Sequence, residues 1–553
     1  MSVAMGFKGE LKGPARRALA NLSSGHARAD LARVPAALLR SGVWRSARPT
    51  HLLPVERAVR RWGSSVATLG AVAAIRFGDD IAVYDDRGAL TYRELDRRCA
   101  AQAAGLHADL GLGPGSSVAV LCRNHRGFLE ATLAASRLGA DVLFLNTEFA
   151  APQLAAVLEA HAPGLVVLDD EFTAVLDATG CDVPSVLAWH ETTAAHLDLE
   201  RLAESTAPAP PTPATPGRLV ILTSGTTGTP KAAPRAPSAL ALSGLTVTAL
   251  SRFGLRSGEP MLLCPPLFHG LGLLHSMLAL FLGCPLVLSR RFDPADALRL
   301  VEKRRAGAML AVPVMLRRML DGAPDPADTS SLRTVISGAS SLDPALATRF
   351  MDRFGDILCD TYGSSEIGIA SIATAADLRS APGTVGRPCL GSTVRILDRD
   401  DRPVGPDTVG RVFAGGGLVF GGYAGGGTRE VVDGLMSTGD LGHLDADGRL
   451  YIDGREDDMI VCGGENVYPQ EVEVVLGSHP AVAEVAVVGV DDPEFGQRLV
   501  AYVVLSEHAE ADAESLQDHV RQNLARYKVP REIHLVGSLP RNATGKVLRN
   551  QLG

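Results

Sequence analysis

The sequence predicts an α/β protein with a second, smaller module at its carboxyl end. Its 553 residues amount to about three to four domains at roughly 150 residues each. Hydrophobic residues make up 46% and charged residues 21%, a composition that can bury a large core. Short apolar runs alternate with longer helical patterns, which is typical of an α/β domain. Beyond residue 480, two strand patterns precede an amphipathic helix, which indicates a separate module.

Composition excludes several classes of protein. A formal net charge of -8 gives no global indication of nucleic-acid binding. The eight cysteines include no C-x-x-C pair, so disulfide frameworks and zinc sites lose support and a reduced, cytoplasmic setting is favoured. Apolar runs stay below the ~18–20 residues of a membrane span, and the first eight residues lack a secretory apolar stretch. We expect a soluble or peripherally bound enzyme.

Residues 1–64 are predicted to form a basic helical extension. The first 50 residues hold nine lysines and arginines against Glu10 and Asp30, and apolar residues such as Leu38 recur at helical spacing. Packing of this helix on the main body is the favoured interpretation. A helix resting on anionic lipid is the alternative.

From residue 65 the chain alternates strands and helices, and its regular pattern is interrupted twice. The Pro-rich stretch 207–217 cannot continue a helix or a central strand, so we interpret it as a connector. A charged, turn-rich stretch at 453–458 sets the predicted boundary between a large domain, 65–456, and a small domain, 457–553. The predicted elements, in chain order, are strand Ile81–Tyr84, helix Tyr92–Leu106, strand Ser117–Leu121, helix Phe128–Leu138, strand Arg218–Leu222, strands Val482–Val490 and Leu499–Leu505, and helix Ser515–Leu524.

A polar loop follows the predicted strand that ends at Leu222. Its sequence is Thr-Ser-Gly-Thr-Thr-Gly-Thr-Pro-Lys over 223–231, and five of the nine residues carry a hydroxyl. Glycines let the backbone approach a ligand, while hydroxyls and N–H groups donate to phosphate oxygens. Pro230 occupies the place before Lys231 where a Walker A loop needs glycine. The loop therefore predicts a phosphate site of another kind.

This loop resembles the signature of the adenylate-forming superfamily, which includes acyl-CoA synthetases, beetle luciferases and the adenylation domains of peptide synthetases. The resemblance covers all but about the first 60 residues, and the whole chain most resembles actinobacterial fatty acyl-CoA ligases. It implies a large amino-terminal α/β domain of several subdomains and a small, mobile carboxyl-terminal α+β domain. The four other matching motifs, in family order, are Tyr-Gly-Ser-Ser-Glu at 362–366, Ser-Thr-Gly-Asp at 437–440, the stretch 454–469, and Pro-Arg-Asn-Ala-Thr-Gly-Lys at 540–546.

The resemblance implies a two-step reaction that uses ATP, Mg²⁺ and coenzyme A. A carboxylate first attacks the α-phosphate of ATP to give an acyl-adenylate and pyrophosphate, and the thiol of coenzyme A then displaces AMP. Because both reactants of the first step are anions, the site must supply positive charge and hydrogen-bond donors. The expected partners are a small carboxylic acid and coenzyme A, with no nucleic acid. A homodimer is compatible with the sequence.

Residue roles follow from the matching positions alone. Lys546 would bridge the transferring phosphate and the attacking carboxylate. Asp440 and Arg455 would bind the ribose, and Tyr362 would stack on adenine opposite the segment 338–340. The nucleotide-binding residues implied by the resemblance are Thr223, Ser224, Gly225, Thr226, Thr227, Gly228, Lys231, Gly338, Ala339, Ser340, Asp360, Thr361, Tyr362, Gly363, Ser364, Ser365, Asp440 and Arg455.

The remaining implied roles concern the metal, the second step and the domain movement. Thr223 and Glu366 would hold the magnesium ion, since a hard cation prefers oxygen ligands. Asp457 matches the hinge about which the small domain rotates between the two steps. That rotation would bring Gly463 and Gly464 to the path of the pantetheine arm.

The segment 265–272 resembles the acid-pocket motif of the family, with His269 near the carboxylate or gating the pocket. The next ten residues, 273–282, are almost wholly apolar. Peptide-synthetase adenylation domains place an aspartate in this region for the amino group of an amino acid, and this chain has none. The sequence therefore predicts an apolar acid without an α-amine. Fatty, cyclic and terpenoid acids all stay open.

Two departures from the family pattern bear on the first step. Ala232 replaces the usual glycine after the loop lysine, which would cost about 1–2 kcal/mol if that backbone needed a positive φ. Ser365 replaces the usual threonine. One alternative is therefore a ligase that only thioesterifies a supplied acyl-adenylate. Two others are transfer to a carrier-protein thiol and a non-catalytic adenylate-binding protein, which the presence of Lys546, Glu366 and Asp440 disfavours.

Overall fold

The continuous apolar runs fold as strands of three sheets, and the amphipathic stretches between them fold as helices. The α/β class predicted from the sequence is confirmed. The computed structural model describes residues 35–46, 48–191, 197–223, 231–235, 239–322, 327–364, 367–416, 430–456, 460–462, 465–492, 496–507, 509–524, 526–543 and 545–552. Within these ranges, only the backbone is described at residues 45, 223, 231–235, 239–245, 461–462, 465–466, 496 and 526.

The amino-terminal elements build the first, six-stranded sheet. Its strand order is β6-β5-β3-β4-β7-β8, and all neighbours are parallel except β7 and β8. Residues 35–41 are helical and two 3₁₀ turns follow at Val43–Ser46 and Pro49–His51. The elements are α1 (Leu52–Trp62), α2 (Val66–Phe77), β1 (Ile81–Asp85), β2 (Gly88–Thr91), α3 (Tyr92–Leu110), β3 (Ser117–Leu121), α4 (Arg126–Arg137), β4 (Asp141–Phe144), α5 (Ala151–His161), β5 (Leu165–Asp169), α6 (Thr173–Asp177), β6 (Ser185–Trp189), α7 (Leu199–Leu202), β7 (Leu219–Thr223) and β8 (Lys231–Arg235).

The middle of the chain, together with β1 and β2, forms a sheet of fourteen strands. Its path runs β16-β17-β19-β20-β15-β14-β13-β12-β11-β9-β10-β1-β2, with β18 paired to β19. The strands from β13 to β1 are parallel, and the others are antiparallel. The elements are α8 (Ala239–Phe253), β9 (Met261–Leu263), α9 (Gly270–Leu282), β10 (Leu286–Leu288), α10 (Pro294–Arg304), β11 (Ala308–Leu310), α11 (Pro313–Asp321), β12 (Thr334–Gly338), α12 (Pro344–Phe354), β13 (Leu358–Ser364), β14 (Gly368–Ala373), α13 (Ala375–Ser380), β15 (Thr384–Pro388), β16 (Ser392–Leu397), β17 (Gly410–Gly416), β18 (Val431–Val432), β19 (Leu435–Leu444) and β20 (Leu450–Arg455).

The carboxyl-terminal elements form a five-stranded sheet with its own apolar core. The order is β22-β21-β24-β23, and β25 adds to β24 in parallel. The domain boundary near residue 456 stays a prediction, although β20 and β21 belong to different sheets. The elements are β21 (Ile460–Cys462), β22 (Glu465–Val467), α14 (Pro469–Gly477), β23 (Val482–Asp492), β24 (Gly496–Leu505), α15 (Ala513–Asn523) and β25 (Glu532–Leu535), with 3₁₀ turns at Arg526–Lys528 and Arg549–Gln551.

Helix α4 lies in the centre of the amino-terminal half, and all twelve of its residues are buried. Its charged side chains are therefore paired, as burial of an ion requires. Arg126 contacts Asp85 at 2.5 Å, and Glu130 contacts Arg98 at 2.5 Å. The apolar face stacks Phe128 on Phe144 with ring centroids 5.2 Å apart.

The described residues contain no helix that is both long enough and apolar enough to cross a bilayer. The seven cysteines whose side chains are described are free thiols.

Candidate active site

Four adjacent parallel strands, β9, β11, β12 and β13, place nine of the described candidate residues at one edge of the large sheet. Ligands of α/β sheets bind outside the carboxyl ends of such strands. β9 leads to His269, β12 leads to 338–340, and β13 ends in the 360–364 segment. The topology therefore brings together residues that are far apart in sequence.

The segment after β12 is shaped by Gly338 and Ala339. Gly338 stands opposite Thr361 of β13, and a Cβ at 338 would lie 2.2 Å from the Thr361 hydroxyl oxygen. Thr361 Oγ1 in turn donates to the Ser337 carbonyl at 2.7 Å. Ala339 adopts a φ of 69°, a left-handed conformation that costs an alanine about 1–2 kcal/mol. The chain therefore turns abruptly out of the sheet at Ala339, and Ser340 follows at the sheet edge.

Asp360 is a buried carboxyl group within β13. Its Oδ1 atom has no hydrogen-bond partner among the described residues. Burial raises the pKa of Asp360 to about 7, although the Thr361 N–H opposes the rise. The site thus holds an acceptor that a ligand donor could satisfy.

Tyr362, Asp440 and Arg455 meet although they come from three different strands. The Tyr362 hydroxyl donates to Asp440 Oδ2 at 2.5 Å, and Arg455 Nη1 donates to Asp440 Oδ1 at 3.0 Å. Asp440 and Arg455 face each other across β19 and β20. Burial, followed by the Asp440 charge, keeps the pKa of Tyr362 well above its usual value, so its phenol remains a donor. The three side chains form one fixed polar cluster.

The backbone around this cluster is held by short-range contacts. Thr438 Oγ1 donates to the Val412 carbonyl at 3.1 Å and accepts the Asp440 N–H at 3.1 Å. Gly363 lies so close to β14 that a Cβ would stand 1.9 Å from the Gly368 carbonyl oxygen. Ser364 Oγ accepts the Ile367 N–H at 3.4 Å. Thr438 was not singled out from the sequence, although it lies in a matching motif.

His269 precedes α9, in a loop that Asn124 holds in place. The Asn124 amide donates to the Pro265 carbonyl at 2.9 Å and accepts the Leu267 N–H at 2.8 Å. His269 Nε2 is buried without a hydrogen-bond partner, and burial lowers the pKa of His269 to about 4. The imidazole is therefore neutral near pH 7. Sequence reasoning missed Asn124, and no motif marked it.

Lys546 lies on a tight turn that packs against the large domain. Asn542 Oδ1 accepts the Lys546 N–H at 2.9 Å, and Gly545 adopts a φ of 79°. A Cβ at Gly545 would lie 2.5 Å from Cγ1 of Val314, in the first turn of α11, which follows β11. The turn that carries Lys546 thus reaches the same sheet edge as His269 and Tyr362.

Some predicted residues lie outside the description. Thr223 and Lys231 are described by their backbones, which pair directly in the antiparallel β7–β8 ladder. Ala232 pairs with Leu222 in the same ladder and is absent from the left-handed region. The predicted residues that lie outside the described ranges are Ser224, Gly225, Thr226, Thr227, Gly228, Ser365, Glu366, Asp457, Gly463 and Gly464.

A buried cluster of Cys122, His125 and Asp169 has the ligand types of a metal site. The His125 ring donates Nε2–H to Asp169 Oδ1 at 2.7 Å and accepts the Gly127 N–H at Nδ1 at 3.0 Å. Both ring nitrogens are therefore already satisfied. We interpret the cluster as a structural hydrogen-bond network that fixes the loop after β3.

Comparison with known proteins identifies the family. The chain matches the model for the AMP-binding enzyme over residues 71–424 and the model for the AMP-binding enzyme C-terminal domain over 471–546. An indoleacetate–CoA ligase of Aromatoleum aromaticum is 34% identical over 473 residues, 84% of this chain and 92% of that protein. A medium/long-chain-fatty-acid–CoA ligase of Mycobacterium tuberculosis is 36% identical over 323 residues, 56% of each chain.

The fold agrees with solved structures of the same kind. The o-succinylbenzoate CoA synthetase of Bacillus subtilis, solved with its acyl-adenylate intermediate, superposes with a TM-score of 0.77 at 28% identity. The match covers 88% of this chain and 97% of that one. The chain therefore belongs to the AMP-binding enzyme family and is an acid–thiol ligase of the adenylate-forming superfamily.

Proposed function

We propose that this enzyme activates an apolar monocarboxylic acid without an α-amine and transfers the acyl group to coenzyme A. ATP supplies the adenylyl group and coenzyme A supplies the thiol. The observation that supports this class of acid is the uncharged wall of the proposed acid pocket. The residues that line the sheet edge support the adenylate chemistry.

The uncharged wall runs from Pro265 to Leu288 and includes α9. This stretch contains no Asp, Glu, Lys or Arg. Its two histidines are neutral near pH 7, because burial lowers the pKa of both His269 and His275 to about 4. An ammonium group placed beside this wall would lose its hydration without gaining a counter-charge. The wall therefore favours an acid whose only charge is the reacting carboxylate.

The nucleotide side fits an adenylate. Gly338 lacks the Cβ that would collide with the Thr361 hydroxyl, so β12 and β13 stay in close contact at the sheet edge, and Tyr362 follows Thr361 with an aromatic ring. The unsatisfied Asp360 Oδ1 suits a donor such as an exocyclic amine. Asp440 has the acceptor oxygens that ribose hydroxyls require, and Arg455 holds that carboxylate in place.

Other roles in the proposal rest on the motifs alone. Lys546 would hold the transferring phosphate against the carboxylate. Thr223 and Glu366 would hold Mg²⁺, and the 223–231 loop would cradle the phosphates. Gly463 and Gly464 would line the path of the pantetheine arm after rotation about Asp457.

Paired substrates test the choice of acid. Each candidate acid, linear, cyclic or terpenoid, is compared with its own α-amino analogue in a CoA-thioester assay with ATP, read by mass spectrometry. We expect kcat/KM for the amino analogue to be lower by about 100-fold, since its ammonium finds no partner. Equal rates for the two members of a pair would contradict the proposal.

The alternative of a thioesterification-only enzyme was suggested by two departures from the family pattern, Ala232 and Ser365, and the backbone of β8 weakens the argument from Ala232. The backbone of Ala232 belongs to strand β8 and pairs with Leu222, an extended conformation that needs no positive φ. Ser365 keeps the hydroxyl of threonine. Acid-dependent exchange of pyrophosphate into ATP decides between the two functions. Robust exchange with a good acid favours the complete reaction, and supplying a carrier-protein thiol in place of coenzyme A tests the other acceptor.

A further inference from the structure

The segment 35–62 presents several large apolar side chains to solvent. Leu39, Trp44, Leu52 and Leu53 are 74%, 61%, 70% and 64% exposed, respectively. With Val59 they make five of the eleven exposed large apolar residues in the described part of the chain. Single exposed apolar residues are normal, whereas five along the one segment 39–59 are the pattern expected of an interaction surface.

These side chains stand on a segment that is fixed to the large domain. Arg76 donates to the Val43 carbonyl at 2.9 Å and also to the Phe281 carbonyl at 2.9 Å. Ser257 N–H donates to the Ser41 carbonyl at 2.7 Å. The His51 ring bonds the Ser46 carbonyl at 3.1 Å, which ties the start of α1 to the 3₁₀ turn that carries Trp44. The apolar group is therefore held outward by the fold.

The same segment is strongly basic on an acidic protein. Residues 35–62 contain six arginines and one acid, Glu56, whereas the whole chain carries a net charge of -8. Arg40 and Arg48 line a cleft of about 550 Å³ between the segment and the body. On the body side, the cleft is lined by Arg76 and Arg256 and by the acids Asp80 and Glu259. The segment thus combines an excess of positive charge with its exposed apolar side chains.

We propose that this N-terminal surface, defined by Leu39, Trp44, Leu52 and Leu53 with the exposed arginines Arg40, Arg48, Arg57, Arg60 and Arg61, docks on an anionic lipid bilayer. Apolar and indole side chains enter the boundary between headgroups and acyl chains, while arginines meet lipid phosphates. A second copy is a poorer occupant, since a two-fold contact would place one arginine-rich surface against itself. The inference is independent of which acid the enzyme activates.

Vesicle co-sedimentation of the full-length enzyme tests the proposal. The probes are phosphatidylcholine vesicles with and without phosphatidylglycerol. We expect binding only to the anionic vesicles, weakening as salt is added. The double variant Leu52→Ser, Leu53→Ser should lower the partition coefficient at least about tenfold, since each leucine gives up the transfer energy of its methylene and methyl groups. Arg48→Gln with Arg57→Gln should lower it about tenfold as well.

The matched control is Val409→Ser with Val431→Ser, which removes exposed apolar side chains elsewhere on the large domain. This control should bind vesicles like the unchanged enzyme, and all variants should keep the same Tm. Equal vesicle binding by the leucine variant and the unchanged enzyme would overturn the proposal. It would also be overturned by no binding at all, or by a lipid-free dimer that the leucine variant dissociates.

Discussion

Asp360 and Asp440 are two carboxylates of the site with opposite surroundings. Asp440 receives hydrogen bonds from the Tyr362 hydroxyl and the Arg455 guanidinium. Asp360 is buried, one of its oxygens has no partner, and its pKa rises to about 7. The first is suited to holding ligand hydroxyls as an anion, and the second is costly to ionise.

Asp440→Ala should lower kcat/KM for ATP by about 100-fold. The substitution removes the acceptor proposed for the ribose and also takes away the carboxylate that Arg455 contacts. Asp453→Ala is the matched control. It removes a carboxylate from the same pair of strands, one that bonds His443 at 2.8 Å. Steady-state kinetics with varied ATP measures both variants. A similar loss in both would mean that strand stability explains the effect.

Asp360 makes stability depend on pH. Because its pKa is about 7 in the folded protein and about 4 in an unfolded chain, the folded state holds the extra proton between those values. The free energy of unfolding should therefore fall as pH rises from about 4 to about 7. In Asp360→Asn this contribution disappears. The Tm of the variant minus the Tm of the unchanged enzyme should therefore increase as pH rises from about 4 to about 7. A constant Tm difference would contradict the assignment.

Some residue-level features could not be predicted from the sequence. Ala339 occupies the left-handed region, and nothing in an alanine signals that conformation. Asn124 supports the His269 loop across 141 residues, a separation at which only tertiary structure decides contact. Tyr362, Asp440 and Arg455 were chosen through motif resemblance, and the fold brings them together. Their mutual contact was not predicted.

At the scale of elements, local chemistry explains where the predictions were good. Strand Ser117–Leu121 was predicted with its observed bounds, because a short apolar run between turn residues leaves few choices. Helix α3 was predicted to end at Leu106 but continues to Leu110. Gly111, in the left-handed conformation, ends it. The start at Tyr92 was correct, and the Thr91–Glu94 capping box accounts for it.

The turn that carries Lys546 is an element whose docking can be tested separately. Gly545→Ala places a methyl group 2.5 Å from Val314 Cγ1 on a backbone with positive φ, so the turn must withdraw from the large domain. We expect acid-dependent pyrophosphate exchange to fall at least about tenfold. Thioester formation from a supplied acyl-adenylate should be nearly unchanged.

Two other variants calibrate this result. Gly537→Ala adds a methyl group that meets nothing within 4 Å and should leave both half-reactions intact. Lys546→Ala should resemble Gly545→Ala, with a larger loss of exchange. Equal loss of both half-reactions in Gly545→Ala would show that the substitution disturbs the whole small domain.

At the scale of the whole molecule, we propose that the small domain makes and breaks its contacts with the large domain between the two steps. Its own sheet and core are complete, so it holds together without the large domain's strands. Its contacts with the large domain include Gly545 against Val314 and Gln470 Nε2 donating to Ser341 Oγ at 3.1 Å. Such small polar and van der Waals contacts suit a domain that changes position between two steps.

We expect a substitution at the proposed hinge to impair thioester formation, the half-reaction that substitutions in the Lys546 turn should spare. Proline fixes φ near -65°, so Asp457→Pro should hinder the rotation that brings Gly463 and Gly464 to the thiol path. We expect pyrophosphate exchange to stay within about threefold of the unchanged enzyme, while thioester formation from a supplied acyl-adenylate falls at least about tenfold. Asp457→Ala, which leaves the backbone free to rotate, should retain both half-reactions. The proposal assigns the Lys546 turn to adenylation and the hinge to acyl transfer. If Asp457→Pro and Gly545→Ala impair the same half-reaction, this division of roles is wrong.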